Sequence, residues 1–290
     1  MEHIDVEELV NRVIAKLGQK TEGRAAAKQA DATESGHGDA YDFPEAKQMG
    51  VTNPHNLAVI EQAQQITPAR IGIGRTGTRM KTTSYLQFRI DQAAAQDAVL
   101  RDVSEAFLQE MDLTVLHTRA KDMQDYLMNL DAGRKLSDES AEWLRKHGEK
   151  GKNVQIIVSD GLSSSAVEAN IKDMLPALMQ GLRLKNISVG RPVFIKRGRV
   201  WVQDHVASIV NCDLVVSLIG ERPGLATAES LSAYMIYRPN ERTVESDRTV
   251  ISNIHRGGTT PIEAGAHLAD IISEILRFQA SGVKFAQLRI

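Results

Sequence analysis

The sequence predicts an α/β fold, because strand-like apolar runs alternate with helical stretches in the C-terminal half. Val154–Val158 and Asp213–Ile219 are short apolar runs, bounded by polar or glycine-containing segments, as expected of buried strands. Ser163–Leu184, between them, is predicted to be a helix that must adjust around Pro176. We therefore predict a Rossmann-like C-terminal sheet with flanking helices, preceded by a helical N-terminal portion and a flexible N-terminal tail.

The strand-like runs end in polar, glycine-rich loops. Asp213–Ile219 is followed directly by Gly220–Leu225, and residues 247–250 lead into the polar segment 252–261. Ligands of α/β sheets bind beyond the carboxyl ends of the strands, so we expect a ligand site at this edge. Glu221 would there accept hydrogen bonds from a ligand, or pair with Arg222 or another local cation. His255 has either a catalytic role or a structural one in its loop.

The remaining elements follow from periodicity and from helix start and stop signals. Residues 43–150 are mainly helical, with helices from the cap pair Asn53–Pro54 to about Ile66, over Asp91–Leu108 and over Leu136–His147. Residues 151–290 form the α/β domain. Its further predicted elements are a hairpin of Pro192–Lys196 with Val200–Gln203, a helix over Asp204–Asn211, a strand over Leu231–Tyr237 and a helix over Pro261–Gln279.

The first residues predict an amphipathic helix followed by a linker. In residues 1–20 the apolar side chains recur on one helical face, acidic residues lie near the start, and Gly18 marks the end. Residues 21–42 are rich in Ala, Gly, Ser, Thr and charge, which predicts a flexible linker. A helix carried on a linker either docks on a partner or is a solubility tail without a further role.

Composition limits the function classes. The net charge of −2 and the 4% aromatic content argue against a nucleic-acid partner, which needs basic patches and stacking residues. The single cysteine, Cys212, forms neither an internal disulfide nor a cysteine-based zinc site, which predicts a reducing compartment. No apolar run approaches the roughly 18–20 residues of a membrane span, so we predict no membrane partner.

Two motifs resemble catalytic or cofactor signatures without meeting their requirements. Residues 72–77 spell G-x-G-x-x-G, but a predicted helix precedes them and poor helix starters follow, so an ordered basic loop is favoured over a dinucleotide site. Residues 160–165 follow a strand as a nucleophile elbow does, but Ser165 stands where the second glycine is required. A helix N-terminus capped by Ser163 or Asp160 is favoured. The histidines show no metal-binding spacing, so we predict no protein-bound zinc ion.

In combination and order, the motifs of residues 53–282 resemble those of the small (light) subunits of ethanolamine ammonia-lyase. The segments that carry the resemblance are Asn53-Pro54-His55, Gly74-Arg75-Thr76-Gly77, Ser159-Asp160-Gly161-Leu162-Ser163, Gly198-Arg199-Val200, Gly220-Glu221-Arg222-Pro223-Gly224-Leu225, Glu229-Ser230-Leu231-Ser232, Asp247-Arg248-Thr249, Ser252–His255 and Gly257-Gly258-Thr259. Thr78 and Met80 depart from this resemblance, since the family is expected to carry prolines there. The loop that follows Gly77 therefore lacks the rigidity that two prolines would give it.

The resemblance implies an adenosylcobalamin-dependent enzyme that converts ethanolamine into acetaldehyde and ammonia. A large subunit would hold the substrate and the catalytic residues, and this chain would close over the cofactor as part of a hetero-oligomer. The family's cofactor contacts map onto Val200, Glu221 and Val250, and a close relative carries cysteine where this chain has Val250. The chain lacks the Asp-x-His-x-x-Gly motif of enzymes whose histidine binds cobalt, so no protein metal ligand is implied.

The resemblance also gives the N-terminal helix a specific interpretation. Enzymes of this pathway are recruited by such helices into protein-shelled microcompartments, so residues 1–20 are a candidate targeting tag that docks on a shell or core protein. The implied location is the bacterial cytoplasm, within the ethanolamine-utilisation microcompartment. The alternative is a non-catalytic cobalamin-binding or scaffold protein of a microcompartment, with a nicotinamide oxidoreductase a distant third.

Overall fold

The computed structural model describes residues 49–67, 69–240 and 242–289 of the chain. The helices of this part are α1 (Leu57–Ile66), α2 (Thr82–Leu100), α3 (Glu105–Glu110), α4 (Met123–Met128), α5 (Asp138–His147), α6 (Ser164–Leu184), α7 (Val202–Val210), α8 (Pro261–Phe278) and α9 (Gly282–Leu288). The strands are β1 (Arg75–Thr76), β2 (Arg79–Met80), β3 (Thr114–His117), β4 (Val154–Ser159), β5 (Val189–Lys196), β6 (Leu214–Gly220), β7 (Leu231–Tyr237) and β8 (Thr249–Ile254). The predicted tag of residues 1–20 and linker of residues 21–42 lie outside the described residues.

A six-stranded mixed sheet, in the order β3-β5-β4-β6-β7-β8, forms the centre of the fold. The strands β3, β5, β4 and β6 are parallel, whereas β7 runs antiparallel to both of its neighbours. As a result, β8 points in the same direction as β6. The predicted α/β fold with flanking helices is confirmed.

Helices cover the sheet on both faces. On one face α6 and α8 pack against alternate strand residues, which include Ile156 and Val158. On the other face α5 and α7 pack against the residues between them, which include Ile157 and Val215. Burial on both faces explains why β4 and β6 are continuous apolar runs in the sequence. Pro176 lies inside α6, as expected.

The predicted hairpin of Pro192–Lys196 with Val200–Gln203 is wrong. β5 pairs in parallel with β3 and β4, and after a turn the chain enters α7 at Val202. The valines at 202, 206 and 210 are all fully buried. Their four-residue spacing places them on one helical face toward the sheet. Burial of this face outweighs the intrinsic preference of valine for strands.

The N-terminal part differs from the sequence prediction in three details. The cap of α1 is Asn56, whose Oδ1 accepts a hydrogen bond from Val59 N at 3.3 Å, rather than Asn53. The predicted helix over Asp91–Leu108 begins earlier, at Thr82 among the poor helix starters, and ends at Leu100; Ser104 then caps α3 by accepting a hydrogen bond from Phe107 N. Strand β3 lies in a stretch predicted to be mainly helical, and it pairs with β5. The domain boundaries themselves stay predictions.

Candidate functional site

The carboxyl ends of β4, β5, β6 and β8 meet at one edge of the sheet. The amide of Leu162, after β4, donates to the carbonyl of Gly220 at 3.0 Å, and the amide of Arg197, after β5, donates to Asp160 Oδ1 at 2.7 Å. Ile254 ends β8 beside Leu231, which in turn pairs with Gly220. The polar loops predicted to share an edge therefore do share one.

Glu221 lies at the start of the loop between β6 and β7 and is oriented by two serine hydroxyls. Ser230 Oγ donates to Glu221 Oε2 at 2.7 Å, and Ser232 Oγ donates to Glu221 Oε1. In the described part of the chain Glu221 has no ion-pair partner, so it does not pair with Arg222. A carboxylate has about four lone-pair sites, so this half-buried side chain keeps acceptor capacity for a ligand.

Val250 lies on the edge strand β8, opposite Tyr234 of β7, and its side chain is 40% exposed. Tyr234 pairs in turn with Ser217 of β6, so all three residues face the α7 side of the sheet. The pKa of Tyr234 is raised, first by burial and then by the negative charge of Glu221. Tyr234 therefore lies on β7, between the strand that carries Val250 and the strand that Glu221 follows.

Val200 lies in the turn that joins β5 to α7. The amide of Gly198 donates to Ser159 Oγ at 3.1 Å, and the carbonyl of Gly198 accepts from the Tyr126 hydroxyl at 3.1 Å. A Cβ atom on Gly198 would lie 2.8 Å from Ser159 Oγ, so the turn requires glycine here. Val200 itself is half-buried, and its carbonyl accepts from Gln203 N at 3.2 Å.

A buried arginine ties the start of α7 to the start of β8. The Arg248 side chain is 2% exposed, and its Nη2 contacts both carboxylate oxygens of Asp204, at 2.7 and 2.8 Å. Its Nε donates to Gln203 Oε1 at 3.3 Å, and Gln203 Nε2 donates to the Tyr234 carbonyl at 2.8 Å. Burial raises the pKa of Asp204, although the Arg248 guanidinium acts in the opposite direction. This network links the segment that contains Val200 to the strand that contains Val250.

Comparison with known proteins decides the family. Residues 58–286 match the family model described as "Ethanolamine ammonia-lyase light chain". The chain belongs to this light-chain family. It is 42% identical over 281 residues to the ethanolamine ammonia-lyase small subunit of Clostridioides difficile (strain 630), with 96% of each chain covered. It is 51% identical over 233 residues to that of Clostridium tetani, with 80% of this chain and 79% of the relative covered. The small subunit of Listeria innocua is 41% identical over 290 residues, at 98% and 99% coverage.

Membership of the light-chain family confirms the resemblance seen in the motifs and the prediction of a lyase subunit. Of the three predicted contact residues, Val200 and Glu221 follow the carboxyl ends of β5 and β6, whereas Val250 lies near the start of β8, level with Ser217 of β6. Their contact with cobalamin stays a prediction. The sequence alone indicates no role for Gln203 or Arg248, although Arg248 lies within the segment Asp247-Arg248-Thr249 that carries the resemblance. Their partners are distant in sequence, and no local pattern shows them.

The geometry favours the structural interpretations of His255 and Ser163 in this light chain. His255 Nδ1 accepts from Gly257 N at 3.0 Å, which leaves the proton on Nε2, 2.8 Å from Asn253 Oδ1. Both ring nitrogens thus hold the loop. Ser163 Oγ accepts from Ala166 N at 3.0 Å and caps α6.

The G-x-G-x-x-G segment has a geometry unlike that of a dinucleotide site. Strands β1 and β2 pair antiparallel, Arg75 with Met80, across the glycine turn. No strand-to-helix turn is present there, so the amides are not arranged for a pyrophosphate. Arg75 and Arg79 are exposed, as predicted for a basic loop.

Residues 49–67, 69–240 and 242–289 contain neither a cluster of metal-binding side chains nor a membrane-spanning helix. Among the described residues, no three histidine, cysteine, aspartate or glutamate side chains are grouped to hold a metal ion. None of the helices there has the length and apolar character needed to cross a membrane. The prediction that the chain supplies no metal ligand stays a prediction.

Proposed function

We propose that the chain is the small subunit of an adenosylcobalamin-dependent ethanolamine ammonia-lyase, which converts ethanolamine into acetaldehyde and ammonia. In this role the chain helps to bind cobalamin against a catalytic large subunit. The observation that carries the proposal is the Glu221 carboxylate, held by two serine hydroxyls at the sheet edge with acceptor capacity left over. Family membership supports the reaction.

The side chains of Val200, Glu221 and Val250 fit a cofactor with an amide rim and apolar surfaces. Glu221 would accept hydrogen bonds from the amide groups of the corrin. Val200 and Val250 would contact its apolar parts, and Val250 serves here as an apolar surface in place of a thiol. When bound, adenosylcobalamin supplies the radical chemistry, and the protein provides binding, orientation and exclusion of water.

The small subunit provides no acid, base or nucleophile to the reaction in this proposal. Its partner is the large subunit, which holds the substrate and the catalytic residues. Its own part is to hold the segments of Val200 and Val250 in place through the Arg248 network, and Glu221 through the hydroxyls of Ser230 and Ser232. Such pre-organisation lowers the entropy lost when the cofactor binds.

Reconstitution tests this proposal. Acetaldehyde release from ethanolamine is measured with the matching large subunit and adenosylcobalamin, with and without this chain. We expect product only when both chains are present. Full activity without the chain would instead favour the second candidate, a non-catalytic cobalamin-binding or scaffold protein of a microcompartment.

Residues 1–20 are proposed to recruit the enzyme to the ethanolamine-utilisation microcompartment in the bacterial cytoplasm. The support is the apolar face of the predicted helix and the predicted linker that follows it. Deletion of residues 1–20 should release the enzyme from purified microcompartments and leave its activity in vitro unchanged. Unchanged encapsulation of the truncated enzyme in cells would contradict the targeting role.

A further inference from the structure

Asp160 is a buried carboxylate beneath the turn that carries Val200. It follows β4 directly and is 3% exposed. Its Oδ1 accepts hydrogen bonds from Arg197 N at 2.7 Å, from Gly161 N at 2.9 Å and from Ser159 Oγ at 3.2 Å. Its Oδ2 is buried and has no hydrogen-bond partner within the described residues. Oδ1 therefore accepts all the hydrogen bonds of this carboxylate, and one of them comes from Arg197 in the turn that follows β5.

The turn of residues 197–200 needs hydrogen bonds from neighbouring side chains to hold its backbone conformation. Arg197 adopts φ 57°, a left-handed conformation that is unfavourable for residues with a side chain. Asp160 holds the amide of Arg197, and its neighbour Ser159 holds the amide of Gly198 at 3.1 Å. The chain then passes through Val200 into α7. The position of Val200 is thus set by two consecutive residues at the end of β4.

The ionised form of Asp160 carries an energetic cost in the folded chain. Burial raises its pKa to about 6, although the hydrogen bonds from Arg197 N, Ser159 and Gly161 lower it. Asp102, whose side chain pairs with Lys196 and Arg197, raises the pKa further. Burial raises the pKa of the nearby Tyr126 hydroxyl, the charge of Asp160 raises it further, and the Arg199 guanidinium lowers it. Since the folded pKa lies above the ordinary value of 3.8, stability falls as the pH rises toward about 6.

We propose that Asp160 is a positioning residue of the cobalamin site, whose negative charge fixes the Arg197–Val200 turn and thereby the contact made by Val200. A charge that lowers stability at neutral pH but orders a loop at the proposed site is typical of a functional position. The inference rests on the proposed function, since it assumes that Val200 contacts the cofactor.

Asp160→Asn removes the negative charge of the side chain and keeps its shape. The amide oxygen remains an acceptor for Arg197 N, but hydrogen bonds to a neutral acceptor are roughly half as strong. We expect the complex of the variant with the large subunit to bind hydroxocobalamin about 3- to 10-fold more weakly at pH 8. The thermal unfolding midpoint of the variant at pH 8 should equal or exceed that of the wild type, because no buried charge remains.

The pH dependence and the turn itself give independent measurements. Wild-type affinity for hydroxocobalamin should weaken as the pH falls through about 6, where Asp160 gains a proton, and the Asn variant should lack this step. Hydrogen exchange of residues 197–200 should be faster in the variant without any cofactor present. Asp138→Asn is the matched control, since the side chain of Asp138 is 96% exposed and its substitution should change none of these.

The outcomes distinguish the inference from the proposed function. Equal affinity, equal pH dependence and equal exchange in wild type and Asp160→Asn would overturn the role of Asp160 and leave the function standing. A wild-type complex that binds hydroxocobalamin no more tightly than the large subunit alone would overturn both. Weaker binding together with faster exchange confined to the turn would support the inference.

Discussion

Replacing Glu221 by alanine should raise the adenosylcobalamin concentration needed for half-maximal activity by about 10- to 150-fold. A hydrogen bond to a charged group typically contributes about 1.5–3 kcal/mol, which corresponds to that range of affinity. The substitution also leaves Ser230 and Ser232 without their shared acceptor. The measurement is a cofactor titration of ethanolamine-dependent activity in the complex with the large subunit.

Two further variants sharpen this test. Glu221→Gln keeps one acceptor oxygen and should lose less affinity than the alanine variant. Glu142→Ala removes a carboxylate that is 73% exposed on α5, far along the chain from the site, and should leave the titration unchanged. If Glu221→Ala and Glu142→Ala gave the same cofactor titration as wild type, the assignment of Glu221 would be wrong.

Replacing Arg248 by alanine should lower the free energy of unfolding by about 3 kcal/mol. Removing one partner of a buried ion pair costs about 3–5 kcal/mol, because the other charge is left uncompensated. The lower end applies because the Asp204 side chain is 26% exposed and regains some contact with water. Gln203 also loses a partner at the start of α7. Urea unfolding of the isolated chain measures the loss.

Arg238→Ala is the matched control for Arg248. Arg238 also pairs with an aspartate, Asp213 at 2.5 Å, but its side chain is 65% exposed. Water screens the attraction within an exposed ion pair, so the control should unfold at nearly the wild-type urea concentration. Equal losses in the two variants would contradict the account of Arg248 as a buried link between α7 and β8.

The strands at the centre of the sheet were predictable, because burial on both faces leaves a continuous apolar run. β4, β6 and β7 lie where the sequence indicates. The short edge strand β3 has only four residues with an alternating exposure, and no local pattern separates it from the helical segments around it. The sequence predicts a strand at the start of α7, because valine favours strands. Only the sheet on which α7 packs shows that the four-residue spacing of the valines belongs to a buried helical face.

The sequence predicts where the candidate site lies, but it does not predict which side chains hold its residues in place. Loop composition at the strand ends indicated Glu221, and the family resemblance added Val200 and Val250. The hydroxyls that orient Glu221 come from residues nine and eleven positions later in the chain, and the partner of Arg248 lies 44 positions earlier. Such pairings depend on how the strands are ordered in the sheet, which a single sequence does not reveal.

The central claim is that this chain adds cofactor contacts to the large subunit, and equilibrium binding tests it most directly. Hydroxocobalamin is dialysed against the large subunit alone and against its complex with this chain, at equal large-subunit concentration. We expect the complex to bind at least tenfold more tightly, since each 1.4 kcal/mol of added contact is about tenfold in affinity. Equal affinity in the two samples would contradict the claim.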